Sequence, residues 1–352
     1  MSLGRLYLEV RRDVPPWQQA AFVAAALVFG LLISLAILNI NGVSATTAYE
    51  EFIVLTFFDR AGLGDVLVQC SPMILVGLSA ALAFRVDFWN IGIEGQFFFG
   101  AIGATIIAIY DVGPDSSRIY SMFLLATVLG ALWIVLPVVL KLRWGINEVI
   151  TTLLLNYLAF NFVLNQVYGA WQDPVDNFHH SEKFEVFERL PQLGFERVHL
   201  GIVIAVVATA LVWWLMERSR FGVLGRFVGT NPRMSLAVGV NVWLVVAGFA
   251  MLSGALSGAA GYVMAAAQEF RLTPSMAVGY GFSGIVIAFL SRNNAIAVLI
   301  VAFLMGGLFV AGQSIKVFHG LPHALVGLLQ AIIVLSVVAS DFFVRYRVRL
   351  AR

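Results

Sequence analysis

Three groups of polar residues in this otherwise apolar chain have types and spacing that could do chemistry. The first is the stretch Arg85-Val-Asp87-Phe-Trp-Asn90-Ile-Gly92-Ile-Glu94-Gly95-Gln96. A carboxylate toward the centre of a membrane helix costs about 2.5–3.5 kcal/mol on insertion scales, so Glu94 is expected to face a cavity or a partner. Gly92 and Gly95 would let a helix break there or let another helix approach closely. The competing structural reading makes Asn90 a helix cap and puts Glu94 in a first turn, where it favours the helix dipole.

The second group is Asn147-Glu148-Val-Ile-Thr151-Thr152-Leu-Leu-Leu-Asn156-Tyr157. Glu148, Thr152 and Asn156 recur every four residues and share one helix face. Such a stripe suits either a water-filled path or a packing seam between helices. Asn90, Glu94, Gln96, Thr152 and Asn156 are therefore the candidate substrate-pathway residues.

The third group is the loop Arg226-Phe-Val-Gly229-Thr-Asn231-Pro232-Arg233-Met-Ser-Leu-Ala-Val-Gly239. Asn at a cap, Pro at the first helical position and Gly past the last turn describe a helix of about two turns. It reads as a docking knob for a cytoplasmic partner or as an ordinary interfacial helix.

Two glycine-serine arrays complete the inventory. Ser253-Gly254-Ala-Leu-Ser257-Gly258-Ala-Ala-Gly261 repeats small residues at four-residue spacing, which is a close-packing pattern. Gly281-Phe-Ser283-Gly284 resembles the surroundings of the nucleophile in intramembrane serine proteases, and His323 could serve as its base. His179, His180 and His199 lack a regular ligand spacing and predict no metal site. No Gly-x-x-x-x-Gly-Lys-Ser/Thr phosphate loop occurs, so the chain is not expected to hydrolyse ATP or to act as an enzyme.

The elements that must hold these groups follow from composition. Of 352 residues, 60% are hydrophobic and 12% charged, about half the charged share of a soluble domain, and the mean hydropathy is +0.90. With 32 glycines and one cysteine, Cys70, the chain reads as an all-α polytopic membrane protein without a disulfide framework. Its first apolar run, Trp17 to Ile40, exceeds a signal-peptide core and predicts a spanning helix. Runs of membrane length follow at about 65–84, 90–110, 120–140, 148–168, 200–216, 241–267, 295–314 and 322–342, with a shorter one at 281–290. About ten helices are thus expected, which puts both termini on one side. With the N-terminus inside, 15 of the 22 basic residues fall on the inner side, as the positive-inside rule requires. The 281–290 run is too short to cross unless it borrows flanking residues or is re-entrant. The expected organisation is a cytoplasmic tail (1–16), an integral membrane domain (17–342) and a cytoplasmic tail (343–352). Within the membrane domain lie an extracytoplasmic loop (169–199) and a cytoplasmic loop (217–240) carrying the short helix. Both tails are expected to be too short to fold.

Phe84 to Gln96, Asn147 to Tyr157 and the Gly229-Thr-Asn-Pro232 loop ending at Gly239 resemble, in the same order, the permease subunits of bacterial ATP-binding cassette importers. The branch is the one for simple sugars, nucleosides and branched-chain amino acids, and the likeness is strongest to its nucleoside-type permeases. It covers about residues 66–340. The resemblance implies a multi-pass subunit of the bacterial inner membrane that pairs with a second, paralogous permease. Two cytoplasmic ATPase subunits and an extracytoplasmic solute-binding lipoprotein would complete the importer, with ATP bound by the partners and no cofactor on this chain. It further implies that Gly229, Asn231, Pro232, Arg233 and Gly239 form the coupling helix that docks on the ATPase. Phe88-Trp89 departs from the smaller pair usual before Asn90. The alternatives are an ion-coupled secondary transporter and the Ser283/His323 protease.

Overall fold

The computed structural model describes residues 6–11, 14–175, 178–277 and 279–350. In chain order the elements are β1 (Leu6–Val10), α1 (Pro16–Ile40), α2 (Ala45–Tyr49) running into a π-helix (Glu50–Phe58), α3 (Arg60–Arg85), α4 (Ile93–Ile109), α5 (Asp115–Trp133) and α6 (Val135–Trp144). They continue with α7 (Glu148–Val167), α8 (Gly201–Arg218), α9 (Arg220–Thr230), α10 (Pro232–Ala237), α11 (Val242–Met264) with a π-helical end (Ala265–Glu269), α12 (Tyr280–Leu290), α13 (Ala295–His319), α14 (His323–Arg345) and β2 (Tyr346–Leu350). Eight helical segments are long and apolar enough to cross a membrane, and α4 and α12 are shorter apolar helices. The fold is therefore that of a predominantly helical membrane protein.

The chain divides into two compact units, 1–63 with 307–352, and 64–306. In the first, α1 packs along α14, and Gly30 permits the contact because a Cβ there would lie 2.9 Å from the Ile333 Cα. The tails do not stay unfolded as their length suggests. β1 and β2 pair antiparallel, with Glu9 opposite Arg347, because each five-residue strand supplies the ladder that the other lacks alone. Residues 1–5, 12, 13, 351 and 352 of the expected tails lie outside the described residues. The segment 45–58 is helical. Ser44 starts it by accepting a bond from the Thr47 N–H at 3.1 Å.

The second unit is built around α3, whose residues from Cys70 to Ala83 are all buried. Pro72 inside α3 removes the N–H that would reach the Val68 carbonyl. That carbonyl instead accepts from Ser71 Oγ at 2.8 Å and from Gln268 Nε2 at 3.2 Å. Pro137 acts similarly on the Asp115–Trp144 span, because its ring conflicts with the Trp133 carbonyl four residues back and divides the span into α5 and α6 at Ile134.

Helices α4, α5 and α11 meet through glycines where no side chain fits. A Cβ on Gly100 would lie 2.1 Å from the Gly258 carbonyl oxygen, one on Gly258 2.3 Å from that of Ala126, and one on Gly130 2.4 Å from that of Gly254. The small-residue array thus serves as a close-packing seam, as its spacing predicts.

As a helix, the short run near 281–290 accounts for only part of a crossing. Eleven residues in α12 rise about 16 Å, roughly half of a bilayer core of about 30 Å. The described residues 270–277 and Gly279, which precede it, are non-helical, and α12 starts partway along α3 and descends beside it. Gly284 lies against Val76, and the Phe289 ring sits 5.1 Å from that of Phe84 near the end of α3.

At the other end of this unit, the 169–199 loop is folded onto the helices. Ser181 and Phe184 donate backbone bonds to Leu272 and Phe270, and Leu190 to Ala266. Arg118, almost fully buried, bonds Asp111 at 2.7 Å, Asp115 at 2.7 Å and Glu188 at 3.0 Å, tying the α4–α5 turn to the loop.

Where the loop joins α8, His199 is 2% exposed and its Nδ1 accepts from the Gly201 N–H at 3.1 Å. Burial pushes this imidazole down to about 4. Below pH about 6.5 the unfolded chain takes up a proton that the folded one refuses, so stability at this junction falls between about pH 6.5 and 4. As pH falls through that window, the protection factor of the Gly201 amide, with the intrinsic pH dependence of exchange divided out, is expected to fall in the native chain and to stay constant in His199→Asn.

Candidate functional site

The connection from α3 to α4 climbs along the first two turns of α7. Trp89 N–H donates to Glu148 Oε1 at 3.3 Å and Ile91 N–H to Thr152 Oγ1 at 3.3 Å. Gly95 N–H donates to Asn156 Oδ1 at 2.8 Å, while Asn156 Nδ2 donates to the Ile91 carbonyl at 2.8 Å. The stripe Glu148, Thr152, Asn156 therefore satisfies, residue by residue, the backbone donors of an incoming chain. Two glycines keep this approach close: a Cβ on Gly95 would lie 2.9 Å from Asn156 Oδ1, and one on Gly92 would lie 3.0 Å from the Thr152 Cβ.

The cap of α4 comes from another helix. Its N-cap residue, Gly92, has no side chain, and Asn156 of α7 supplies the acceptor for the first turn. Asn147 does cap α7, accepting from Val149 N–H at 2.8 Å, and Lys141 neutralises Glu148 at 2.6 Å.

Behind this seam lies a buried amide pair. Asn90 Nδ2 donates to Gln96 Oε1 and Gln96 Nε2 to Asn90 Oδ1, both at 3.0 Å. The same Asn90 oxygen accepts from Gly92 N–H, and its Nδ2 also reaches Ser253 Oγ at 3.0 Å, which is 2.9 Å from Ser79 Oγ. Asn90, Gln96, Ser79 and Ser253 are all 1% exposed or less, so every polar atom of the pair is committed within the protein. Asn90→Ala would strand the Gln96 amide and the Gly92 N–H, at about 1–3 kcal/mol for each buried group. The purified variant is expected to unfold several degrees below the wild type in a thermal shift assay.

Glu94 and Asn156 are less enclosed than Asn90, Gln96 and Thr152. The Glu94 carboxylate accepts from the Gly279 backbone N–H at the start of α12, where Gly279 takes φ +85°. A Cβ on Gly281 would fall 2.8 Å from that of Glu94, so α12 can begin here only on glycine. The structure thus places an acid at the N-terminal end of a half-helix, partway into the membrane.

Sequence reasoning missed the neighbouring face of α7. Ile150, Leu154, Tyr157, Asn161 and Asn165 are exposed at three- and four-residue spacing, and the polar members continue one position beside the 148/152/156 stripe. Ser79 was also missed, because a lone serine in an apolar run carries no periodic signal.

At the end of the unit where α3 finishes, α10 has the predicted form. Asn231 Oδ1 accepts from Met234 N–H at 3.0 Å, Pro232 opens the helix, and Gly239 closes it at φ +84°. Arg233, Met234, Leu236 and Val238 are exposed. The preceding α9 is fixed to α3: a Cβ on Gly229 would lie 2.3 Å from the Arg85 carbonyl oxygen. Glu217 bonds Arg85 at 3.2 Å and Arg226 at 3.3 Å. Of the residues expected at the alternative protease site, Ser283 donates to its own helix at Gly279 O, 2.8 Å away, and the His323 side chain lies outside those described.

The chain belongs to the family described as branched-chain amino acid transport system permease components, which matches residues 62–338. It is 35% identical to the glucose ABC transporter permease protein TsgB13 of Haloferax volcanii over 98% of this chain and 94% of that one. It is 31% identical to the guanosine ABC transporter permease protein NupP of Bacillus subtilis, over 91% and 93% of the two chains. To the nucleoside ABC transporter permease protein NupB of Lactococcus lactis subsp. cremoris it is 27% identical over 88% of each. It is accordingly a membrane-resident transport subunit, working with ATPase and solute-binding partners as permeases of this family do.

Proposed function

We propose that this chain carries a nucleoside or a similar small polar solute inward across the cytoplasmic membrane by alternating access, paired with a second, paralogous permease. Two ATPase subunits would bind ATP and dock on α10, with Gly229, Asn231, Pro232, Arg233 and Gly239 shaping that contact, and a binding lipoprotein would deliver solute at the 169–199 loop. The observation that carries this reading is the continuity from α10 through α9 to the Arg85 backbone and Glu217, and from there along the α3–α4 connection to Asn90 and Glu94. A push on α10 would reach the α4–α7 seam without crossing a flexible joint.

The orientation rests on Arg85, Lys141, Arg143, Arg218, Arg220, Arg226, Arg233 and Arg292, which gather toward the end bearing α10, together with the pairing of the two termini in one ribbon. Both termini would then be cytoplasmic, and counting α4 and α12 with the eight longer spans gives ten membrane helices. Asn90, Gln96 and Thr152 hold the seam from behind, while Glu94, Asn156 and the exposed Tyr157, Asn161 and Asn165 border the path. Polar groups on lipid-facing helix surfaces are costly, which favours water or a partner on that face. The substrate class is tested by uptake of labelled guanosine into proteoliposomes holding the assembled importer. Unlabelled nucleosides should compete and glucose should not; competition by glucose alone would reassign the solute.

A further inference from the structure

The 64–306 unit contains a crevice of about 970 Å³ at the end bearing the 169–199 loop, well separated along α4 and α5 from the seam described above. Its walls are Tyr120 and Phe123 of α5, Phe187 and Leu190 of the loop, Ile204 of α8 and Phe270. Arg189 stands among them. Its Nε and Nη2 both donate to the Phe184 carbonyl, at 2.9 and 2.7 Å, and its guanidinium lies 4.9 Å from the centre of the Phe270 ring. These contacts hold the group in place and leave Nη1 and the positive charge uncommitted, since no carboxylate among the described residues pairs with it.

The surfaces that continue from the crevice indicate what fills it. On α5 the exposed residues below Tyr120 are Leu124, Val128 and Leu132, and on α8 they are Val207, Leu211 and Trp214. Both stripes are free of the amides that mark the exposed face of α7, so they are surfaces for acyl chains. An apolar slot of this size, continuous with lipid-facing helix surface and headed by a fixed cation at the helix ends, matches a lipid with an anionic head and apolar tails. The lining is mostly apolar: the Tyr262 hydroxyl is already bonded to the Ile119 carbonyl at 3.2 Å, which leaves Tyr120 and Gln192 as the polar side chains besides Arg189.

We infer that the crevice is a phospholipid site, with the phosphodiester on Arg189 and one acyl chain lying between α5 and α8. The site goes beyond the transport reading and stands whether or not that reading holds. The test is native mass spectrometry of the full importer reconstituted in phosphatidylglycerol nanodiscs. One phosphatidylglycerol is expected to stay on each copy of this chain. Arg189→Gln, which removes the charge, and Val186→Trp, which blocks the mouth from an exposed position, are each expected to cut its occupancy at least tenfold, with Arg189→Lys retaining it. Wild-type protein that holds no lipid, or undiminished retention by either of the two blocking variants, would overturn the assignment. Retention in Val186→Trp alone would mean that Arg189 binds a phosphate without a seated tail.

Discussion

Gly258→Leu is expected to leave almost no folded protein in the membrane. The position lies where α4, α5 and α11 cross, and a Cβ there would sit 2.3 Å from the Ala126 carbonyl oxygen and 3.1 Å from the Gly130 Cα. Both neighbours are backbone, so no side-chain rotation relieves the overlap. The helices would have to separate along the whole crossing, opening the contacts of Gly100 and Gly130 as well. Overpacking in a core ordinarily costs about 1–3 kcal/mol, and a clash with two helix backbones belongs at or beyond the top of that range. Loss of helix contact is more damaging here than in water, because lipid offers no hydrophobic drive to hold the helices together and packing must do it. Gly327→Ala is the control, since a Cβ at Gly327 meets nothing within 4 Å. Size-exclusion yield from membranes should fall at least tenfold for Gly258→Leu and stay unchanged for Gly327→Ala.

The second large effect concerns function at unchanged stability. Met234 and Leu236 on α10 are 62% and 60% exposed, while the cap from Asn231 and the φ of +84° at Gly239 are set by backbone geometry that neither side chain touches. Met234→Asp combined with Leu236→Asp should therefore leave α10 folded but make its exposed face hostile to an apolar groove on a partner. Desolvating two carboxylates in such a contact costs several kcal/mol, enough to weaken association at least 100-fold. Solute uptake is expected to drop by about that factor at subsaturating ATPase, with the thermal midpoint of the isolated permease unmoved. A double variant that still co-purifies with its ATPase and transports normally would remove α10 from the coupling path.

Much of this architecture was legible from sequence because the membrane imposes simple rules. Spans could be read from apolar runs, and α10 from three residues, Asn231, Pro232 and Gly239, whose backbone preferences leave few alternatives. The glycine array of α11 showed its packing role through its period alone. What stayed hidden depended on contacts between distant segments. Asn156 suited either a water path or a packing seam, and in the fold it caps α4 from across a helix boundary, a pairing that no local spacing encodes. Asn90 and Gln96 were candidates for solute contact, and the structure satisfies them with each other and with Ser253. The half-helix α12 was visible only as a run too short to cross. Its meaning came from Gly279 and Gly281, which let it begin against Glu94. The ribbon of β1 and β2 joins opposite ends of the chain, so neither five-residue strand announces it.

Transport through this chain is expected to be powered by movement of α10 under an ATP-driven partner, and by no ion gradient. It is tested most directly in proteoliposomes containing the permease pair with or without the ATPase, loaded with ATP and given a labelled nucleoside and its binding protein outside. Uptake is expected only with the ATPase and ATP present, and it should survive collapse of the proton and sodium gradients by ionophores. Uptake that persists without the ATPase and disappears with the gradients would contradict the account.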